Sequence, residues 1–210
     1  LIGPSAARQA PSHGDPEHVV ELVAENPDTQ IVILTSGDPL FYGTARYLCD
    51  RLGKDRFEFV PQVSSMQLAF ARVKERWDEA YLTNLANQSL DRAIERIRSA
   101  DRVGLFTTQE YPPSAVAEAL LNRGIDYFTG YVCENLGSPD ERVTSGDLTE
   151  LASQSFSALN VMILVRLPES PDRPREMMGR RLFGNPDEMF LQSRPKRGLL
   201  TPAEVRCIAL

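Results

Sequence analysis

Three short polar turns hold most of the residues able to recognise a ligand. The first is Ser36-Gly37-Asp38-Pro39, with Phe41 and Tyr42 close behind; the second is Pro61-Gln62-Val63-Ser64-Ser65. The third is longer, Glu134-Asn135-Leu136-Gly137-Ser138-Pro139-Asp140-Glu141. Their chemistry is that of binding: glycine for close backbone approach, hydroxyls and a carboxylate for hydrogen bonds, and free N–H groups where a helix begins. Each also has a purely structural reading, as a turn with an N-cap, a capped helix start, or a loop built on an Asx turn. Covalent chemistry finds less support. The two histidines, His13 and His18, have neither a cysteine nearby nor a helical i, i+4 partner, and read as surface residues. The three cysteines, Cys49, Cys133 and Cys207, are far apart and read as reduced thiols. Gly-x-Ser-x-Gly, Gly-x-Gly-x-x-Gly and Walker-type Gly-Lys-Ser/Thr patterns are all missing.

The elements expected to position these turns alternate between strand and helix. Residues 17–24 follow Asp15-Pro16, an N-cap with proline at the first helical position. Residues 31–35, Ile-Val-Ile-Leu-Thr, read as a buried strand that feeds the first turn. A helix over 40–52 should stop at Gly53, a short strand should cover 57–60, and a helix should cover 66–73. This rhythm is that of a parallel α/β sheet, in which ligands bind beyond the carboxyl ends of strands. The pattern then restarts, with helices over 89–99 and 112–123 and strands over 102–107, 126–133, 141–144 and 159–166. Leu90, Ala93, Ile94 and Ile97 share one face of the first of these helices. The expected organisation is an N-terminal α/β domain at 1–83, a second α/β domain at 84–168, and a linker and tail at 169–210. Proline and arginine crowd 168–181, and Thr201-Pro202-Ala203-Glu204 forms a capping box that opens a further helix.

Composition narrows the partners. Hydrophobic residues make up 42% and charged residues 25% of 210 residues, with a net charge of −6. That balance, without a basic run, argues against nucleic acid or an anionic membrane as partner but permits a local basic pocket. No apolar run approaches the roughly 20 residues of a membrane span, and the expected location is the cytoplasm.

In this order, SGDPLFYG, VPQVSSMQLAFAR, the Trp77-Asp78 step, ENLGSPDERV, Gly146-Asp147-Leu148 and LNVMILV resemble the tetrapyrrole methylases. Within that family the likeness is to the cobalamin-pathway branch that methylates carbon 5 of a late corrin precursor. LFGNPDEMF and GLLTPAEVR in the tail resemble the start of the partner activity, which methylates carbon 15 and decarboxylates an acetate arm. The resemblance implies two α/β domains with a cofactor cleft between them, S-adenosylmethionine as cofactor and an anionic precorrin as substrate. It also implies a homodimer and a C-15 methyltransferase/decarboxylase domain, fused or separate, as partner. Cofactor contacts are then expected from Ser36, Gly37, Asp38, Pro39, Phe41, Tyr42, Ser64, Ser65, Thr107, Thr108, Glu134, Asn135 and Leu136. Substrate carboxylates are expected to meet Arg46, Arg72 and Arg142.

The chain departs from the family pattern in three places: Ile2-Gly3-Pro4 only weakly echoes the usual Gly-x-Gly-Pro-Gly turn, Gln62 stands where a glycine is usual, and Leu85-Ala86-Asn87-Gln88 where Leu-His-Gly-Arg is usual. These departures keep two other functions in view. One is a tetrapyrrole-methylase-fold enzyme acting on a different corrinoid or on rRNA, and the other is a non-catalytic docking domain for the C-15 enzyme.

Overall fold

The structure, a computed structural model, describes residues 15–168, so His13, the expected linker and tail, the Thr201 capping box and Cys207 lie outside it. The chain divides into two compact units between Ser64 and Ser65.

In the first unit, α1 (Pro16–Glu25) begins as expected: Asp15 Oδ1 accepts the Glu17 N–H at 2.9 Å, with Pro16 in the first turn. The Tyr47 hydroxyl donates to Glu17 Oε1 at 2.7 Å and ties α1 to α2 (Ala45–Leu52). Ala45 and Leu48 are the buried residues of α2, and the Gly53 N–H closes it on the Cys49 carbonyl at 2.9 Å. Helix α2 starts at Ala45 rather than Leu40. Tyr42 lies at φ +55°, and the Gly43 backbone folds back so tightly that a Cβ would sit 2.4 Å from the Pro39 carbonyl oxygen; neither fits a continuing helix.

The strands expected at 31–35 and 57–60 do not form: no residue of this unit described here is in a strand. Both stretches have strand composition, but a strand exists only when its N–H and C=O groups meet a neighbour's. Instead, Val32 is 61% and Leu34 90% exposed. A 3-10 turn, Lys54–Arg56, precedes the second stretch.

The second unit is a mixed sheet clothed with helices. Its elements are α3 (Ser65–Val73), β1 (Tyr81–Asn84), α4 (Leu90–Ser99), β2 (Arg102–Phe106), α5 (Pro113–Asn122), β3 (Phe128–Glu134), β4 (Arg142–Asp147), α6 (Leu148–Ala152) and β5 (Asn160–Arg166). The strand order is β1-β2-β5-β3-β4. Strands β1 and β2 run parallel around α4, and β5 returns antiparallel to both β2 and β3, with β4 antiparallel to β3 at the far edge. Central β5 needs apolar residues on both faces, and Val161, Met162, Ile163 and Leu164 are all buried.

Ala93, Ile94 and Ile97 of α4 are fully buried, as their spacing predicts. They pack in one cluster with Val103, Leu105, Val116, Leu120, Met162 and Leu164. Helix α3 belongs to this second unit. Gly104 of β2 explains why: a Cβ there would lie 2.5 Å from Met66 Sδ and 2.9 Å from Phe70 Cε2, so only glycine lets α3 settle this close to the sheet. At the other end Asp147 caps α6 through a reciprocal box, accepting the Glu150 N–H at 2.8 Å while Glu150 Oε2 accepts the Asp147 N–H at 3.1 Å.

Candidate functional site

In the first unit the Ser36–Tyr42 turn folds on itself. Asp38 Oδ1 accepts the Leu40 N–H at 2.9 Å, and the Asp38 carbonyl accepts the Phe41 N–H at 3.1 Å. The first of these is an Asx turn, so at least one carboxylate oxygen of Asp38 fixes the backbone. Gly37 sits at φ +68°, where a Cβ would come within 3.1 Å of Ser64 Cα. The Gln62 N–H donates to the Gly37 carbonyl at 3.3 Å. The first two sequence turns are thereby stapled together, with Ser64 only 7% exposed. Phe41 and Tyr42 meet edge to face at 4.8 Å, Ser36 is exposed, Pro39 is half-buried, and Arg46 is exposed on α2.

In the second unit, Ser65 opens α3 and is exposed, while the remaining predicted residues gather at the ends of β2 and β3. Thr107 Oγ1 donates to Asn160 Oδ1 at 2.8 Å, and Thr108 Oγ1 accepts the Tyr111 N–H at 3.0 Å, shaping the turn into α5. Glu134 is 2% exposed at the last position of β3. Its carboxylate receives Arg142 Nε at 2.6 Å, Arg142 Nη2 at 2.9 Å and the Ser157 N–H at 2.7 Å. Burial is the largest single influence on this carboxyl and opposes ionisation. The Arg142 hydrogen bonds, the Ser157 N–H and the Arg142 charge together outweigh it and hold the pKa below the ordinary value.

The loop beyond is internally committed. Asn135, at φ +49°, donates through its N–H to the Leu159 carbonyl at 2.9 Å and through Nδ2 to Asp140 Oδ2 at 2.9 Å. Its Oδ1 accepts the Ser157 hydroxyl at 3.0 Å. Glu141 accepts the Gly137 N–H at 2.8 Å and pairs with Arg72 through both carboxylate oxygens. Leu136 is half-buried within this frame. Arg72 and Arg142, expected at substrate carboxylates, therefore already hold Glu141 and Glu134. Burial first, and the Glu141 charge second, push the neighbouring Cys133 thiol up to about 11, leaving it neutral and non-nucleophilic at pH 7.

Ser157 and Asn160 escape a reading by motif. Ser157 lies in a polar connection before β5 that looks like any loop, and Asn160 is the first residue of β5; the one sequence signal is a hydroxyl and an amide at the start of the most apolar strand. Among the described residues, no three His, Cys, Asp or Glu side chains are grouped to hold a metal ion, and no helix is long and apolar enough to cross a membrane.

A family model described as Tetrapyrrole (Corrin/Porphyrin) Methylases matches residues 3–152. The chain belongs to the tetrapyrrole methylase family. Among curated tetrapyrrole-pathway proteins it is 28% identical over 192 residues to a precorrin-6Y C(5,15)-methyltransferase [decarboxylating] of Sinorhizobium sp, covering 91% of this chain and 44% of that one. It is 31% identical over 139 residues to a probable cobalt-precorrin-7 C(5)-methyltransferase of Methanocaldococcus jannaschii, covering 64% of each. The chain thus spans less than half the length of the bifunctional relative. A solved tetrapyrrole methylase, the uroporphyrin-III C-methyl transferase from Thermus thermophilus complexed with S-adenosyl homocysteine, shares the fold at a TM-score of 0.55 and 19% identity, covering 71% of this chain and 72% of that one.

Proposed function

We propose that this tetrapyrrole methylase is an S-adenosylmethionine-dependent methyltransferase domain that methylates carbon 5 of a late precorrin in cobalamin biosynthesis. One observation carries the reading: the chain aligns both with a C(5,15) enzyme and with a C(5) enzyme, and carbon 5 is what the two names share.

The residues present fit such a cofactor. Gly37, in a left-handed conformation with its bare α-carbon closed against Ser64, fixes the shape of its turn. Glu134 and Asn135 sit in a loop whose side chains are already fixed, a preorganised wall rather than a mobile one. The cofactor supplies a methyl group activated by sulfonium charge, so the work left to the chain is binding and alignment. Ser36, Gly37, Asp38, Pro39, Phe41, Tyr42, Ser64 and Ser65, and separately Thr107, Thr108, Glu134, Asn135 and Leu136, are the residues assigned to cofactor contacts.

The precorrin is a polycarboxylate, and Arg46 is the first choice for its carboxylates, since Arg72 and Arg142 are paired internally. The working protein is a cytoplasmic homodimer that acts with a C-15 methyltransferase/decarboxylase domain, fused or separate. Calorimetric titration of the full-length protein with S-adenosylhomocysteine tests the reading: saturable binding supports it, and no heat of binding at high ligand concentration would remove it.

A further inference from the structure

We infer that Ser157 is a positioning residue that holds the 134–141 loop, and through Asn160 the end of β2, in the arrangement that receives the cofactor; the inference rests on the cofactor site proposed above. Ser157 belongs to neither loop nor strand end, yet it touches both neighbours in the Glu134-Asn135 pair. Its N–H donates to Glu134 Oε1 at 2.7 Å and its hydroxyl to Asn135 Oδ1 at 3.0 Å. Its carbonyl accepts Asn160 Nδ2 at 2.7 Å, and Asn160 Oδ1 in turn accepts the Thr107 hydroxyl at 2.8 Å. One residue, directly and through Asn160, thereby links Thr107 at the end of β2 to Glu134 and Asn135 at the end of β3.

The two bonds to the loop do different things. The bond to Glu134 is charge-assisted and comes from main chain, so any residue except proline at 157 can supply it. The bond to Asn135 comes from the hydroxyl, which only serine or threonine can provide. Asn135 sits at φ +49°, a left-handed conformation that asparagine adopts more readily than most side chains because its amide bonds locally, and that amide is what the clamp holds. Its side-chain oxygen is fixed by Ser157 and its side-chain nitrogen by Asp140, while its carbonyl accepts the Ser138 N–H at 3.0 Å. Removal of the hydroxyl releases one side of this clamp and leaves the Glu134 bond and the fold in place.

The test is calorimetric titration with S-adenosylhomocysteine on five full-length proteins, each checked for folding by thermal melt: unsubstituted, Ser157→Ala, Ser157→Thr, Asn135→Ala, and Ser157→Ala combined with Asn135→Ala. Ser157→Ala is expected to bind about three- to tenfold more weakly, the loss typical of one hydrogen bond. Ser157→Thr should recover most of that loss. The double variant should be no weaker than Asn135→Ala alone, because Ser157 acts through Asn135. Unchanged affinity in Ser157→Ala, failure of threonine to restore it, or additive losses in the double variant would each overturn the inference and leave the cofactor site standing. Failure of the unsubstituted protein to bind would overturn both.

Discussion

Arg142, 61% exposed, grips with Nε and Nη2 the carboxylate of Glu134, which is 2% exposed. The pair carries a pH dependence of definite sign. Glu134 has a folded pKa held below its ordinary value, so in acid the unfolded chain takes up a proton before the folded one. Its stabilising contribution is complete above the unfolded carboxyl value of about 4.3 and is lost as pH falls through the lower folded value. Thermal melts from pH 7 down to 3 should show Glu134→Gln less stable than the parent at neutral pH, with the gap closing in acid. A gap that stays constant or widens in acid would contradict this assignment.

Gly37 and Ser64 set a second expectation. Alanine at 37 would have to hold φ near +68° with its Cβ 3.1 Å from Ser64 Cα. Gly37→Ala should lower the stability of the chain by about 1–2 kcal/mol, measured by chemical denaturation, through left-handed backbone strain alone. A neutral effect would show that the turn does not depend on this conformation.

Asp38 can be tested for turn-holding against charge. Its Oδ1 bond to the Leu40 N–H survives in asparagine but not in alanine. Affinity for S-adenosylhomocysteine should fall about three- to tenfold in Asp38→Ala, the loss of roughly one hydrogen bond, and stay near the parent value in Asp38→Asn. Equal losses in the two variants would instead assign the role to the negative charge.

Helix α3 rests on the bare backbone of Gly104. In Gly104→Ala the new methyl would meet Met66 Sδ at 2.5 Å and Leu82 Cδ2 at 2.9 Å, an overpacking expected to cost about 1–3 kcal/mol by thermal or urea denaturation. Phe70 Cε2 also lies at 2.9 Å, so the cost depends on how far the Met66 and Leu82 side-chain ends and the buried Phe70 ring can move. A Gly104→Ala protein as stable as the parent would mean that α3 has room to shift.

How legible all this is in sequence depends on the range of the deciding interaction. Helix α4 could be read because Ala93, Ile94 and Ile97 recur at helical spacing, and the start of α1 because Asp15 and Pro16 stand together. Residues 31–35 could not: their composition states only that a strand would suit them, while the pairing that makes a strand is a property of distant residues. The insertion of β5 between β2 and β3 is likewise non-local. At the site, family likeness pointed to Glu134, Asn135 and Thr107, but Ser157 and Asn160, which tie them together, are distinguishable only by their contacts. The arginines are ambiguous in sequence, since a cation suited to a substrate carboxylate is equally suited to Glu134 or Glu141.

The central claim is methyl transfer to a corrin carbon, and incubation of the full-length protein with labelled S-adenosylmethionine and a late precorrin measures it directly. The account predicts a labelled methyl group at carbon 5, located by carbon NMR, whether or not carbon 15 is also labelled. Saturable binding of S-adenosylhomocysteine with no label transferred to any late precorrin would contradict it.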